Sequence, residues 1–193
     1  MDYSKQRADI DARLGLALQA AESFAMRAWP REPELVEELR AHWAAPREFA
    51  AQHEEWFRER WGVGQGSEFD WDARDLNPWS FLQDSLGIRG LAIVVKPFGS
   101  ANEILGALIA ADVGMESIGP ALFEGGKDLQ SGREVYLHAL AERFRHITDR
   151  ILVQLCDEWS DDPMVATVAV TDHTILAGLA CEADIYGLGI HDL

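Results

Sequence analysis

The sequence predicts an α+β fold in which a helical N-terminal half packs on a small sheet flanked by helices, with a mostly α fold as the alternative. Two observations lead to this expectation. In residues 1–61, apolar side chains recur every three or four positions, which is the period of amphipathic helices. Further along, residues 91–95 and 164–170 are short apolar runs rich in Ile and Val and bounded by turn residues, and such runs are typical of strands.

Three helices are predicted in the N-terminal third of the chain. The first, over residues 5–28, ends ahead of Pro30 because the residue before a proline is pushed out of the helical conformation. Pro33 begins the second helix, since proline is favoured at the first helical position. The third helix spans residues 47–61 and ends at Gly62, so short turns would join antiparallel neighbours.

A helix-strand-helix unit in residues 77–114 is the centre of the prediction. Asn77 is a suitable N-cap for the helix before the strand, and Pro78 is a suitable first residue. Gly87 is the predicted end of that helix. After the strand, a serine and a glutamate at capping-box spacing predict a second helix over residues 101–112.

The second half is predicted to contain a glycine-rich loop over residues 114–132 and one long helix over residues 131–159. The apolar stripe of this helix consists of Leu140, Phe144, Ile147, Ile151 and Leu155. Residues 174–183 form either a buried helix, which we favour, or the return strand of a hairpin. The two predicted strands would be parallel if a right-handed crossover joined them, with a mixed sheet as the other arrangement.

Length and charge limit the class of protein. The 193 residues are enough for one hydrophobic core, so we expect a single domain over residues 1–193 with a candidate sub-boundary at residues 62–68. The formal net charge of −16 opposes binding to nucleic acid or to anionic membranes. Two cysteines, no signal-peptide pattern and no apolar run of about 20 residues predict a cytoplasmic protein outside the membrane.

The acidic residues are concentrated near the C-terminus, where no Lys or Arg follows Arg150. Four of them lie at the end of the predicted long helix, where negative charges oppose the helix dipole and repel one another. These four candidate partner-binding residues are Asp157, Glu158, Asp161 and Asp162. A solvated helix end is the simpler interpretation, and a docking surface for a basic partner is its rival.

A ligand pocket is the second hypothesis. His173 follows the second predicted strand beside Asp172, where a histidine and a carboxylate could perform acid-base chemistry. Six of the seven tryptophans lie within about fifty residues, and tryptophan is favoured in pockets and interfaces as well as in cores. The predicted pocket combines Trp71, Trp79, His173 and Asp172.

Other motifs predict no chemistry. Asp70, Asp72 and Asp75 lack the ligand spacing of a calcium loop. His138, Glu142 and His146 fall on the solvated face of their helix, and the zinc-peptidase spacing is absent. The glycine-rich segments fit no phosphate-binding motif, and Cys156 and Cys181 occur in apolar runs that predict buried, inert thiols. We therefore predict no catalytic residues, no metal and no cofactor.

These observations favour a non-catalytic cytoplasmic binding protein whose acidic surface engages a basic protein, in the manner of an inhibitor or immunity protein. Complementary charge speeds encounter and selects partners, which is why the charge pattern points to this class. The alternative is a small enzyme or ligand-binding domain with a Trp-lined pocket near Trp71, Trp79 and His173.

Overall fold

The computed structural model describes residues 3–61, 77–95, 133–156, 164–184 and 188–192, and these residues form an α+β fold. The helices are α1 Tyr3–Ala28, α2 Glu34–Ala44, α3 Pro46–Gln52, α4 Glu54–Trp61, α5 Pro78–Ile88, α6 Arg133–Ile147 and α7 His173–Ala183. The strands are β1 Ala92–Val94, β2 Arg150–Leu155, β3 Met164–Ala169 and β4 Ile190–Asp192. The predicted fold class is confirmed. Three other predictions lie outside the described residues: the helix over residues 101–112, the loop over 114–132 and the sub-boundary at 62–68.

The described residues contribute four strands to the sheet, in the order β1-β3-β2-β4, and each neighbouring pair of these strands is antiparallel. Val94 pairs with Met164, and Leu155 pairs with both Met164 and Ile190, so these pairs lie at one end of the sheet. The parallel pairing proposed for the two predicted strands is wrong. β3 lies between β2 and β1 in the sheet. It runs antiparallel to both of them.

The predicted long helix over residues 131–159 is also wrong in its second half, because α6 ends at Ile147 and β2 follows. Thr148 Oγ1 donates to Phe144 O at 2.8 Å and accepts from Arg150 N at 3.1 Å, which closes the turn between helix and strand. The error has a geometric origin. Residues four apart, such as Ile151 and Leu155, share a face in a helix and also in a strand, so this spacing does not distinguish the two.

Both faces of β2 are covered. Ile151, Val153 and Leu155 belong to the main core, together with residues of α1, α2, α5 and α7. Leu152 is also buried, and strand alternation places it on the opposite face, where α6 packs against β2. Among the described elements, the sheet therefore has α6 on one face and the core helices α1, α2, α5 and α7 on the other.

Helix α5 is the central helix of this core. All residues from Pro78 to Leu86 are buried, including the polar side chains of Ser80, Gln83, Asp84 and Ser85. α1, α2, α7 and β1 pack around it. The predicted N-cap is confirmed, since the Asn77 side chain accepts a hydrogen bond from Trp79 N at 3.1 Å.

The end of α5 differs from the prediction. Gly87 lies inside the helix, and the left-handed residue that ends it is Gly90, with φ of 69°. Leu91 N donates to Leu86 O at 2.9 Å, and Gly90 N donates to Gly87 O at 3.0 Å, which is the hydrogen-bond pattern of a Schellman motif. Leu86 and Leu91 occupy the two positions that are usually apolar in this motif, and both belong to the main core.

The remaining helices follow the predictions with small changes. The third predicted helix, over 47–61, begins one residue earlier at Pro46 and is divided at His53 into α3 and α4. Residues 173–183 form a helix, as we favoured, and α7 packs along α1. In the described part of the chain, no helix is long and apolar enough to cross a membrane.

Candidate functional site

Trp79, one member of the predicted pocket, lies in the core. Its side chain is fully buried, and its ring meets Phe24 edge-on with centroids 5.0 Å apart. The indole Nε1 donates to Cys156 O at 3.0 Å, so the polar end of the ring is satisfied by backbone. Trp79 therefore contributes packing rather than a pocket wall, and Trp71 lies outside the described residues.

His173 is the first residue of α7 and contacts the C-terminal strand. Its Nε2 is 2.6 Å from Asp192 Oδ1, and its side chain is 27% exposed. Asp172, which the sequence suggested as its carboxylate partner, instead accepts a hydrogen bond from Arg27 Nε at 2.9 Å. A histidine held by a carboxylate is oriented for proton transfer, but this pair also has a plain structural use, because it fixes β4 to the start of α7.

The structure does not bring Trp79 and His173 together. Asn77, next to the start of α5, donates through Nδ2 to Asp184 Oδ1 at 2.8 Å, and Asp184 immediately follows the end of α7. His173 begins the same helix, whose 11 residues span about 16 Å at 1.5 Å per residue. Trp79 and His173 therefore lie near opposite ends of α7 and do not line one pocket.

A hydrogen-bonded group links α5 to the ends of β2 and α7, and we call it the buried anchor: Asn77, Trp79, Gln83, Cys156 and Asp184. Cys156 O accepts from both Trp79 Nε1 and Gln83 Nε2, at 3.0 and 2.7 Å. Asn77 binds Asp184 as described above. These bonds join residues that are 73 to 107 positions apart in the sequence.

Asp184 is the one carboxylate of the buried anchor, and the sequence analysis missed it. It is 4% exposed, and its Oδ2 accepts from Leu188 N at 3.0 Å and Gly189 N at 3.3 Å. A buried carboxylate is tolerated when hydrogen-bond donors surround it, and here the donors come from three positions. The sequence signal for this role is an aspartate at the end of an apolar helix, followed by a glycine-containing turn whose backbone N–H groups need an acceptor.

His42 and Asp84 are a second buried polar pair that the sequence analysis missed. His42 is fully buried between the rings of Phe49 and Phe81, with centroids 4.2 and 4.1 Å away. Its Nε2 is 4.0 Å from Asp84 Oδ2, and Asp84 is 2% exposed. His42 follows Leu39 at helical spacing on the inward face of α2, which is the signal that places it in the core. The pair belongs to the core rather than to an open pocket.

The two cysteines differ in environment. Cys156 is buried, as predicted, and burial raises the pKa of its thiol to about 11, with smaller contributions from Asp184 and Cys181. Cys181 is exposed, so the prediction of a buried thiol is wrong there. Gly189 lies close to both residues: Cys156 N donates to Gly189 O at 2.9 Å, and a Cβ added at Gly189 would be 3.0 Å from Cys181 Sγ. With a raised pKa, Cys156 is a poor nucleophile at neutral pH.

An open groove of about 670 Å³ runs between α1 and the C-terminal half of α7. Leu16 and Leu179 supply apolar lining, and Arg13 and Glu182 supply charges of opposite sign. Its volume is within the range of small-molecule sites, but such sites are usually more enclosed and hold several converging polar groups. We assign it no ligand.

The helical face that carries His138, Glu142 and His146 is exposed, as predicted. Among the described residues, no group of three or more His, Cys, Asp or Glu side chains is arranged to hold a metal ion. Asp70, Asp72 and Asp75 lie outside those residues.

The predicted partner-binding residues Asp157, Glu158, Asp161 and Asp162 also lie outside the described residues. One reason for choosing them no longer holds, because the chain before them is strand β2 and not a helix. A strand has no comparable macrodipole, so the argument from charges at a helix end is withdrawn. What remains is the concentration of acidic residues itself.

No protein-family model matches the chain, and searches of curated proteins and of solved structures find no significant match.

Proposed function

We propose that this protein is a non-catalytic binding protein that uses an acidic surface to engage a basic protein, in the manner of an inhibitor or immunity protein in the cytoplasm. The observation that carries the proposal is the net charge of −16, together with the lack of Lys and Arg after Arg150. Charge of one sign attracts an oppositely charged partner at a distance and disfavours others.

Most of the acidic excess belongs to residues that the structure does not describe. The described residues contain 14 Lys and Arg against 19 Asp and Glu, a net charge of −5. The other 65 residues contain 3 basic and 14 acidic residues, a net charge of −11. The proposed surface is therefore assigned to the latter, with Asp157, Glu158, Asp161 and Asp162 as its core.

Several acidic side chains of the described residues are already neutralised within the protein. Arg89 is the clearest case: it is 2.6 Å from Glu32 Oε2 and 3.0 Å from Glu38 Oε1, with Glu34 3.7 Å away. The hydrogen bond to Glu32 is the main cause of a raised Arg89 pKa. Such pairs fix α2 to the end of α5, and their charge contributes little to long-range attraction.

Two acidic stretches adjoin members of the buried anchor in the sequence. Asp157 directly follows Cys156 in the sequence, and Asp75 comes two residues before Asn77. Cys156 and Asn77 both belong to the buried anchor, so residues 70–75 and 157–162 are connected to neighbouring points of the fold.

Capture from cell lysate at two salt concentrations tests the proposal. Immobilised protein should retain a basic protein in about 0.05 M salt and release it in about 1 M salt, since the screening length falls to about 3 Å. Loss of binding with salt distinguishes electrostatic docking from apolar adhesion, which high salt does not weaken. Recovery of no salt-sensitive partner under any condition would count against the proposal.

A further inference from the structure

We draw no further inference here: the strongest candidate, the open groove of about 670 Å³ between α1 and α7, is a partly apolar face, and nothing in the described residues shows what covers it.

Discussion

Two glycines at the end of α5 have different physical roles. Gly90 has a positive φ, which L side chains rarely adopt, and nothing lies within 4 Å of a Cβ added there. Gly87 has no such conformation, but a Cβ added to it would be 2.5 Å from Trp56 Cζ2 and 3.2 Å from Met164 Cε. Gly90 is thus required by backbone geometry, and Gly87 by the close approach of Trp56.

Replacing Gly87 with alanine should lower the free energy of unfolding by about 1 to 3 kcal/mol, because the new methyl group overpacks the contact with Trp56. Urea denaturation would measure the change. The matched control is Gly15→Ala in α1, where nothing lies within 4 Å of the added Cβ. At position 15 alanine favours the helix more than glycine does, so this variant should raise the free energy of unfolding by up to about 1 kcal/mol. If Gly87→Ala were as stable as the control, the close packing against Trp56 would be wrong.

The two thiols should react at different rates with iodoacetamide. Only the thiolate reacts, and the pKa of Cys156 near 11 leaves it almost entirely protonated at pH 8, whereas Cys181 is exposed. Mass spectrometry of the native protein should find the first label on Cys181, and the Cys181→Ser variant should label slowly until it is unfolded in guanidinium. Rapid labelling of Cys156 in native Cys181→Ser would contradict the buried environment.

The same thiol should make stability fall with pH in alkali. The Cys156 pKa is raised from 9.0 in its reference state to about 11 in the fold, so the folded state keeps a proton that the unfolded state loses. Its stabilising effect is fully present below about pH 9 and is lost as pH rises to about 11. Between those values, the unfolding free energy of the wild type should decline more steeply than that of Cys156→Ala. Parallel curves would show that Cys156 titrates normally.

Among the elements, α7 and β4 depend on contacts at both ends. His173 pairs with Asp192 at one end, and Asp184 accepts from Leu188 and Gly189 at the other. β4 is only three residues long and pairs only with β2 among the described strands. Because three residues form only a short ladder of backbone hydrogen bonds, we expect the contacts of His173 and Asp184 to hold residues 188–192 in place.

Substituting Asp184 with asparagine tests this arrangement. Asparagine keeps one oxygen as an acceptor and replaces the other with an NH₂ group, which is a donor. The NH₂ group would face either Asn77 Nδ2 or the backbone N–H groups of Leu188 and Gly189, and these buried donors would lose their acceptor. We expect a loss of about 1.5 to 3 kcal/mol in urea denaturation, the range for hydrogen bonds to a charged group. Glu182→Gln, two positions earlier and exposed, removes the same charge and should change stability by less than about 0.5 kcal/mol. Equal effects in the two variants would show that the buried anchor is not stabilising.

The sequence was informative where local rules decide the structure. The N-cap at Asn77, the helix that begins just after Pro33, and the strand over 164–169 follow from residue preferences and spacing. It misled where one spacing fits two structures, as for Ile151 and Leu155. It was silent about distant partners, because neighbouring residues encode neither the link from Asn77 to Asp184 nor the choice of Phe49 and Phe81 as the rings that enclose His42.

In the whole molecule, the described residues carry the smaller part of the net negative charge. The described residues form one main core around α5 and carry a net charge of −5, while the other residues carry −11. Neutralising acidic residues of the second group should therefore weaken partner binding without unfolding the core. Removing the same number of charges from exposed positions elsewhere should have little effect on binding.

The most direct test of the proposed function compares two charge variants in equilibrium binding to the captured partner at low salt. The first changes Asp157, Asp161 and Asp162 to asparagine and Glu158 to glutamine. The second makes the same number of neutral replacements at four exposed positions on α1, α3 and α4, which are Asp9, Asp11, Glu48 and Glu55. We predict that the first variant binds at least about tenfold more weakly, or about 1.4 kcal/mol, and the second within about twofold of the wild type. Equal affinities for both variants, or a larger loss in the second, would contradict an acidic docking surface at residues 157–162.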